Sequence, residues 1–544
     1  MSGCHPRIDP ACGELAAADT GLRPAAENRL LDRLQLDWSR RERRALLRLH
    51  RSRPSAWIGA HEHERHAVRA DYCRARGIPI LRRLTGGEAC YRDPQQWNLT
   101  LTVPLAEGGA GAHLAPWPAL AGRALRTALH GLGFSVGGAH PGRIELGGRT
   151  LGEVFVAIHG DVVVVEAHLF RSVDTEALLR VLRVPKEKLT PEGVRSARRR
   201  YAALDEDGGR APAPAVLNDA VHRALAVALG LPAVGLAWPV VGRGTGDARP
   251  GPPPGEDGGA YTGFVKTDGG VLYGALRPDA GGAAIETLSV HGDVQLHPHT
   301  LLSRWCEALA TCPLEEALER TVAFLAAEPH EFLGFRDEDL LRLLRVLLGR
   351  RVLQARLGLS AGESGALMIH DPAGDADTPA VLARAQVLLV PYCAKPTWCR
   401  WRHRDGCPEC GRCSVGTAYR LGRTRGMRVV TIRNFEHLEQ TLGRLRADGV
   451  GAYVGLCCRN FFLKREYAFR AAGLPAVLLD ITGSNCYELQ QEELAYAGRF
   501  EAQAELDLPV LEKVMAAVPA CGAPIPARGG ARRKTPPTDP MSPE

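Results

Sequence analysis

No run in this 544-residue chain reaches the ~18 apolar residues that a membrane-spanning helix needs. The start, MSGCHPRIDPACGELAAADTG, has no apolar core behind a basic segment, so no signal peptide is expected and the protein reads as cytoplasmic. Charge of one sign is scarce as well. A net charge of +7 spread over this length permits an acidic partner or a nucleotide but is weak support for nucleic-acid binding. There is no internal repeat. What the chain does have is size, enough for three or four cores, and fifteen cysteines. In a cytoplasmic protein that number points to metal or redox chemistry rather than a disulfide scaffold. Nine of them lie between Cys393 and Cys521, and five of those fall within Cys393–Cys413.

Composition divides the chain. Residues 1–25 read as a flexible leader. Residues 26–241 alternate helical stretches with β-branched runs such as VFVAIHGDVVVVEAHLF, the pattern of an α/β or α+β domain. A Gly/Pro-rich linker is expected at 242–257. Strand-like runs broken by Gly-Gly turns and followed by helical patterns make a small α+β unit of 258–358. A second break at 359–380 precedes a Cys-rich α/β domain, 381–520, which opens with the apolar strand AQVLLVPYC. The tail 521–544, rich in Pro and charge, reads as disordered.

The stretch RRLTGGEACYRDPQQWNLTL, Arg82–Leu101, places an arginine pair before two glycines. Consecutive glycines let a backbone approach a ligand and offer N–H groups to an anion. Arginines beside them can grip phosphate or carboxylate, although a hairpin turn with a solvated basic flank reads equally from this fragment. Its surroundings add order: RPSAWIGAHEHERHAVRADYCRARGIPILRR before it, then FVAIHGDVVVV and RVPKEKLTPEGVRSARRRYAAL after it. This series resembles the lipoate–protein ligase A family within the biotin/lipoate ligase superfamily, and 258–345 resembles the accessory domain of those ligases. A biotin-type ligase fits the arginine pair and the KEKL segment less well.

The resemblance implies a ligase fold that activates lipoate or octanoate with ATP and Mg²⁺ and passes the acyl group to a lysine of a lipoyl-acceptor domain. It assigns Arg82, Arg83, Gly86, Gly87 and Ala89 to the adenylate turn, extended by Asn98, and His159 to a His-Gly strand. Lys186 and Lys188 match the family's basic segment, or else form a solvated helix start. Three departures oppose full competence. Glu88 stands where the third glycine belongs, bringing a like charge to a phosphate and a Cβ that restricts φ. Arg92 replaces a histidine. Thr150, in GGRTLGEV, occupies the place of the family's lysine, and Arg149 is expected on the opposite strand face. Cys90 reads as a small apolar filler rather than a nucleophile.

The segment CAKPTWCRWRHRDGCPECGRC carries Cys393, Cys399, Cys407, Cys410 and Cys413 in two overlapping C-x2-C units, a spacing that lets thiolates share a metal. Cys457, Cys458 and Cys486 follow apolar runs and are expected at the carboxyl ends of a sheet. The whole of 385–500 resembles a prokaryotic family known only as domain of unknown function 116. An iron–sulfur cluster, or else zinc, is the expected occupant, with all eight cysteines as candidate ligands. Two functions follow. One is a lipoate ligase coupled to a metal or redox domain. The other is a degenerate ligase fold that binds lipoate or a lipoylated protein while the Cys-rich domain does redox or sulfur chemistry.

Overall fold

The computed structural model describes residues 8–106, 113–183, 200–206, 211–236, 238, 261–371, 378–483, 486, 494 and 499–520. Lys186, Lys188 and the expected linker and tail at 242–257 and 521–544 lie outside these residues.

The first unit is an eight-stranded sheet of order β11-β1-β2-β6-β10-β9-β8-β7. Its strands are β1 (Leu15–Arg23), β2 (Ala45–Ser52), β6 (Gln96–Pro104), β7 (Val136–Gly137), β8 (Arg143–Leu146), β9 (Arg149–His159), β10 (Val162–Phe170) and β11 (Ala233–Gly235). A smaller sheet holds β3 (Ser55–Ile58) between β4 (Ile80–Arg82) and β5 (Cys90–Arg92). The β-branched run of β10 is buried at every position, and the hairpin to β9 closes through Gly160 at φ +61°, a left-handed turn that suits glycine. Helices Pro116–Gly131 and Pro214–Leu229 cover one sheet face and share the main core with Leu47, Leu99, Val156 and Val165. Helix Ala25–Glu42 covers the other face, with Gln35 donating at 2.8 Å to the carbonyls of Leu46 and Thr100. Leu15–Arg23, expected within a flexible leader, is instead a sheet strand flanked by β2 and β11. After Leu15, its Ala16-Ala17-Ala18 run carries no large or β-branched side chain to announce a strand.

The second unit is the antiparallel sheet β12 (Tyr261–Thr267), β13 (Gly270–Pro278), β14 (Ile285–Gly292), with a two-strand ribbon of β15 (Gln295–His297) and β16 (Glu331–Leu333). Helix Asp337–Leu357 packs on it through Leu340, Leu343, Leu344 and Leu347, then continues into the third core with Leu353 and Leu357. Residues 359–380 were expected to be a linker. The described part is a capped helix, Ala361–Gly365, and strand β17 (Leu367–His370), so the second and third units share a continuous helix and a buried seam there. Arg350 lies within that seam and donates to Thr262 O and Ser364 O.

The third unit is a five-stranded sheet of order β17-β21-β20-β18-β19, with β18 (Ala385–Pro391), β19 (Arg428–Ile432), β20 (Ala452–Leu456) and β21 (Ala476–Leu479) parallel and β17 antiparallel. From β18 the chain passes outward to β19, then crosses back over β18 to reach β20, and continues outward to β21. The connections leaving β18 and β20 therefore diverge, which opens a crevice at their carboxyl ends. No helix among the described residues is long and apolar enough to cross a membrane.

Candidate functional site

The glycine turn lies between the small sheet and the second unit. Gly87 takes φ +90°, so the left-handed position of the turn falls on a glycine and Glu88 escapes the backbone strain expected of it. Each glycine is also demanded by close packing. A Cβ on Gly86 would stand 2.1 Å from Val294 O, one on Gly87 2.7 Å from Phe155 Cδ1, and one on Gly59 2.1 Å from Gly87 O. Gly87 donates its N–H to Val294 O at 3.1 Å, and the backbone N–H of Thr85 goes to Glu166 Oε2 at 3.2 Å. Ala89, beside Glu88, packs against the small sheet's core.

The arginine pair turns inward. Arg83 is 1% exposed. Its Nη2 donates to the carbonyls of Gly86, Gly87 and Glu88 at 3.0, 3.2 and 2.8 Å, its Nη1 donates to Trp57 O at 3.2 Å, and the guanidinium lies 4.0 Å from the centre of the Phe155 ring. Arg82 Nη1 donates to the carbonyls of Gly59, Ala60 and Glu62 at 3.0, 3.1 and 2.6 Å. Guanidinium donors that satisfy backbone carbonyls hold the turn's shape; they are not aimed at a ligand. His159 Nε2 lies 2.9 Å from Leu84 O, and its ring packs 4.4 Å from that of His299. Burial, then the neighbouring His299, lowers its pKa to about 4, so it is a neutral strut for the turn.

Acids gather here. Glu62 is buried with Oε2 accepting from Gly59 N–H at 2.7 Å; burial, and next the charge of Asp293, raises its pKa to about 8. Glu153 and Asp293 are also raised, first by burial and then by the exposed Glu88. Thr150, at the start of β9, is tied by its backbone to Arg200 and Ala202. Arg149 pairs with Glu206 at 2.6 Å and donates to Tyr201 O, so it does not substitute for the missing lysine. The turn therefore meets carboxylates where an adenylate would need cations. Acids of this kind are nevertheless what Mg²⁺ takes as ligands, and the basic segment with Lys186 and Lys188 lies outside the described residues.

Beneath the turn, the sheet face is polar. Arg48 and Asp32 form a fully buried ion pair. Arg92 stands 3.7 Å from Glu166 and 4.5 Å from the Trp57 ring centre. Arg92 Nε and Nη1, Asn98 Oδ1 and His168 Nδ1 are buried without hydrogen bonds. Asn98 thus sits within this floor and apart from the turn's backbone, on β6. Burial holds His50 and His168 neutral. The motif reading missed Arg48, Glu62, Glu153, Glu166, His168 and Asp293. The signal for two of them was there: Glu166 and His168 stand two apart in VVVVEAHLF, on one face of a strand that is otherwise apolar.

In the third unit the cysteines separate. Cys393 lies in the turn just after β18, Cys457 and Cys458 just after β20, and Cys486 beyond β21, all lining one cavity. Cys407 and Cys410 belong to a tight knuckle in which Glu409 N–H donates to Cys407 Sγ at 3.4 Å, with Glu409 and Gly411 at φ +54° and +74°. Cys410 is exposed, and Cys399 and Cys413 are half-buried. Among the described residues no three His, Cys, Asp or Glu side chains are grouped so as to hold a metal ion. The eight cysteines expected as candidate ligands for iron–sulfur or zinc are therefore not grouped around a metal position among these residues. A physical reason is visible in Lys395, 1% exposed, whose Nζ donates at 2.8 Å to the carbonyls of Trp401, Arg404 and Gly406. Its charge stands within reach of Cys399, Cys407 and Cys413, a cation already in their midst.

Residues 24–226 match the model of the lipoyl protein ligase A/B catalytic domain. That segment contains the turn, the polar floor and His159. Among solved structures the chain is similar to a bi-partite lipoate protein ligase of Thermoplasma acidophilum, at 20% identity over 43% of this chain and 88% of that one, with a TM-score of 0.35. It is similar to P. falciparum LipL1 in complex with lipoate, at 13% identity over 58% and 95%, TM-score 0.45. It is also similar to a lipoate-protein ligase A bound with ATP, at 19% identity over 42% and 90%, TM-score 0.33. No curated protein matches the chain.

Proposed function

We propose that the ligase-type segment binds a lipoyl or octanoyl group, free or carried on an acceptor lysine, without adenylating it, and that the Cys-rich unit works on the sulfur of that group. The observation that carries this reading is the set of four acids, Glu62, Glu88, Glu153 and Asp293, around a turn whose arginines are spent on backbone carbonyls. A phosphoanhydride there would meet the exposed carboxylate of Glu88 and would find the guanidinium groups of Arg82 and Arg83 already turned to backbone carbonyls. A carboxylate or amide at the floor instead finds Arg92, with Nε and Nη1 open, and the apolar cluster of Leu36, Leu84, Val162 and Val164 beside the turn suits an alkyl chain. The solved ligases bound with lipoate or ATP lend the ligand class, and an acceptor lipoyl domain is the partner that class implies.

A second reading, a ligase competent with ATP and Mg²⁺, is favoured by the family match across 24–226. It needs the turn to be released from Val294 and a cation to replace the lysine absent at Thr150. On the Cys-rich unit, Cys399, Cys407, Cys410 and Cys413 have the donor chemistry for zinc or an iron–sulfur group, but they would have to close together and displace Lys395 Nζ to share one. The primary reading is tested by calorimetric titration with octanoate. Saturable binding that weakens at least tenfold in Arg92→Met supports it; absence of binding in the wild-type protein refutes it.

A further inference from the structure

The crevice of the third unit lies where the connections from β18 and β20 diverge, the position at which parallel sheets take their ligands. A cavity of about 90 Å³ opens there. Its walls are Leu389, Phe435, Leu438, Phe461 and Phe469, with four sulfurs from Cys393, Cys457, Cys458 and Cys486. Among the described residues no Asp, Glu, Lys or Arg lines it. None of the four cysteines is in a disulfide. They come from three separate strand ends, so the fold itself brings them to one apolar chamber. Cys458 is moreover the N-cap of the 14-residue helix Arg459–Ala472, whose first N–H groups favour a developing thiolate.

We infer that this crevice receives the dithiolane end of a lipoyl group and exchanges thiol for disulfide with it, an assignment that rests on the lipoyl reading above and names the place and residues of its sulfur chemistry. Two features select that ligand. The walls admit an apolar chain and offer no charge for a carboxylate, so the head group must stay outside, as it does when the chain is held in amide linkage to a lysine. Among the described lining residues the thiols are the soft nucleophiles, and the reaction partner of a thiol inside an apolar chamber is a disulfide.

The exchange balances without another reagent. The Cys458 sulfur attacks one ring sulfur; the ring S–S bond breaks, a Cys458–ligand disulfide forms, and the Cys458 proton passes to the freed ligand sulfur. Cys486, which lines the same cavity as Cys458, then attacks the Cys458 sulfur. A Cys458–Cys486 disulfide forms, its proton goes to the second ligand sulfur, and the ligand leaves as a dithiol carrying two electrons from the protein. Burial keeps the thiols of Cys393, Cys457 and Cys458 protonated at rest, with Cys393 raised to about 11, so the exchange accelerates as pH rises.

The test uses the full reduced chain, freed of reductant under anaerobic conditions, with lipoamide as the probe. After acid quench and alkylation, peptide mass spectrometry maps which cysteines have been oxidised or carry the ligand. Oxidation confined to Cys393, Cys457, Cys458 and Cys486, at least tenfold faster at pH 9 than at pH 7, supports the inference; so does an accumulating mixed disulfide on Cys458 in Cys486→Ser. Modification led by the exposed Cys410, or none at either pH, overturns it. Stoichiometric iron or zinc that is lost in Cys486→Ser would assign these thiols to a metal and overturn it as well. Mapping on the wild-type chain needs no variant to fold. Octanoate titration is read separately: loss of octanoate binding with intact exchange sinks the ligase-segment reading alone, and binding without exchange sinks this inference alone.

Discussion

Replacing Glu62 by Gln should flatten the pH dependence of stability. Glu62 is 9% exposed, and its pKa stands at about 8 against an ordinary 4.5, because burial and then Asp293 disfavour its charge. The folded protein therefore keeps a proton that the unfolded chain releases from pH 4.5 upward. The contribution is intact below pH 4.5 and is lost progressively as pH rises to 8. Each pH unit in that window costs about 1.4 kcal/mol for one such group. From pH 5.5 to 7.5 the loss is about 2.7 kcal/mol, or a shift of roughly 5–10 °C in a unit of this size. Glutamine cannot ionise, and its carbonyl can still accept from Gly59 N–H, the bond of 2.7 Å that Glu62 makes. Scanning calorimetry of both proteins at the two pH values isolates Glu62, since every other group titrates in both. The wild-type transition should fall relative to Glu62→Gln by that amount. Parallel pH profiles would refute the buried, protonated acid.

Gly86→Ala would drive a Cβ to 2.1 Å from Val294 O, so the turn and the second unit must separate; a loss of about 2–3 kcal/mol and faster proteolysis between the units are expected. Lys395→Met removes three hydrogen bonds of 2.8 Å and leaves three carbonyls unpaired. The transition of the third unit should drop by about 3 kcal/mol while that of the first stays put, as calorimetry would show. Thr150→Lys alone should leave acyl-adenylate formation undetectable by mass spectrometry, because Glu88 and Glu153 remain; joined with Glu88→Gly and Glu153→Gly it should rise at least tenfold above that background. A full response from Thr150→Lys alone would show that the acids are irrelevant to the chemistry.

Much of the fold could be read from the order of apolar runs. The hairpin of β9 and β10 is explicit in VFVAIHGDVVVVEAHLF, and β18 in AQVLLVPYC. The strand Leu15–Arg23 was not legible, since its small residues gain their place only from β2 and β11 on either side. The segment Ala361–His370 looked like a linker because Gly and Ser dominate its start; its helix is held by a reciprocal Ser360–Glu363 cap that only a three-residue spacing hints at. At the candidate site, local motif order located the turn, but not what its arginines do. Arg83 reads as an anion ligand until Trp57, Gly86, Gly87 and Glu88 are seen to present their carbonyls to it. Glu62 and Asp293 are 231 positions apart, brought together by contact of the first two units, and no sequence pattern carries such a pairing. The eight cysteines behave likewise: spacing shows clustering along the chain, while the strand ends decide which four share a cavity.

The most direct measurement is an anaerobic incubation of the full chain with ATP, Mg²⁺ and lipoate or octanoate, with an added lipoyl-acceptor domain, read by mass spectrometry. The account predicts no acyl-adenylate and no acylation of the acceptor by a protein that binds octanoate in the same buffer. Acyl-adenylate formed at catalytic turnover, or acceptor lysine acylated in an ATP-dependent way, would contradict it and make the chain a working ligase.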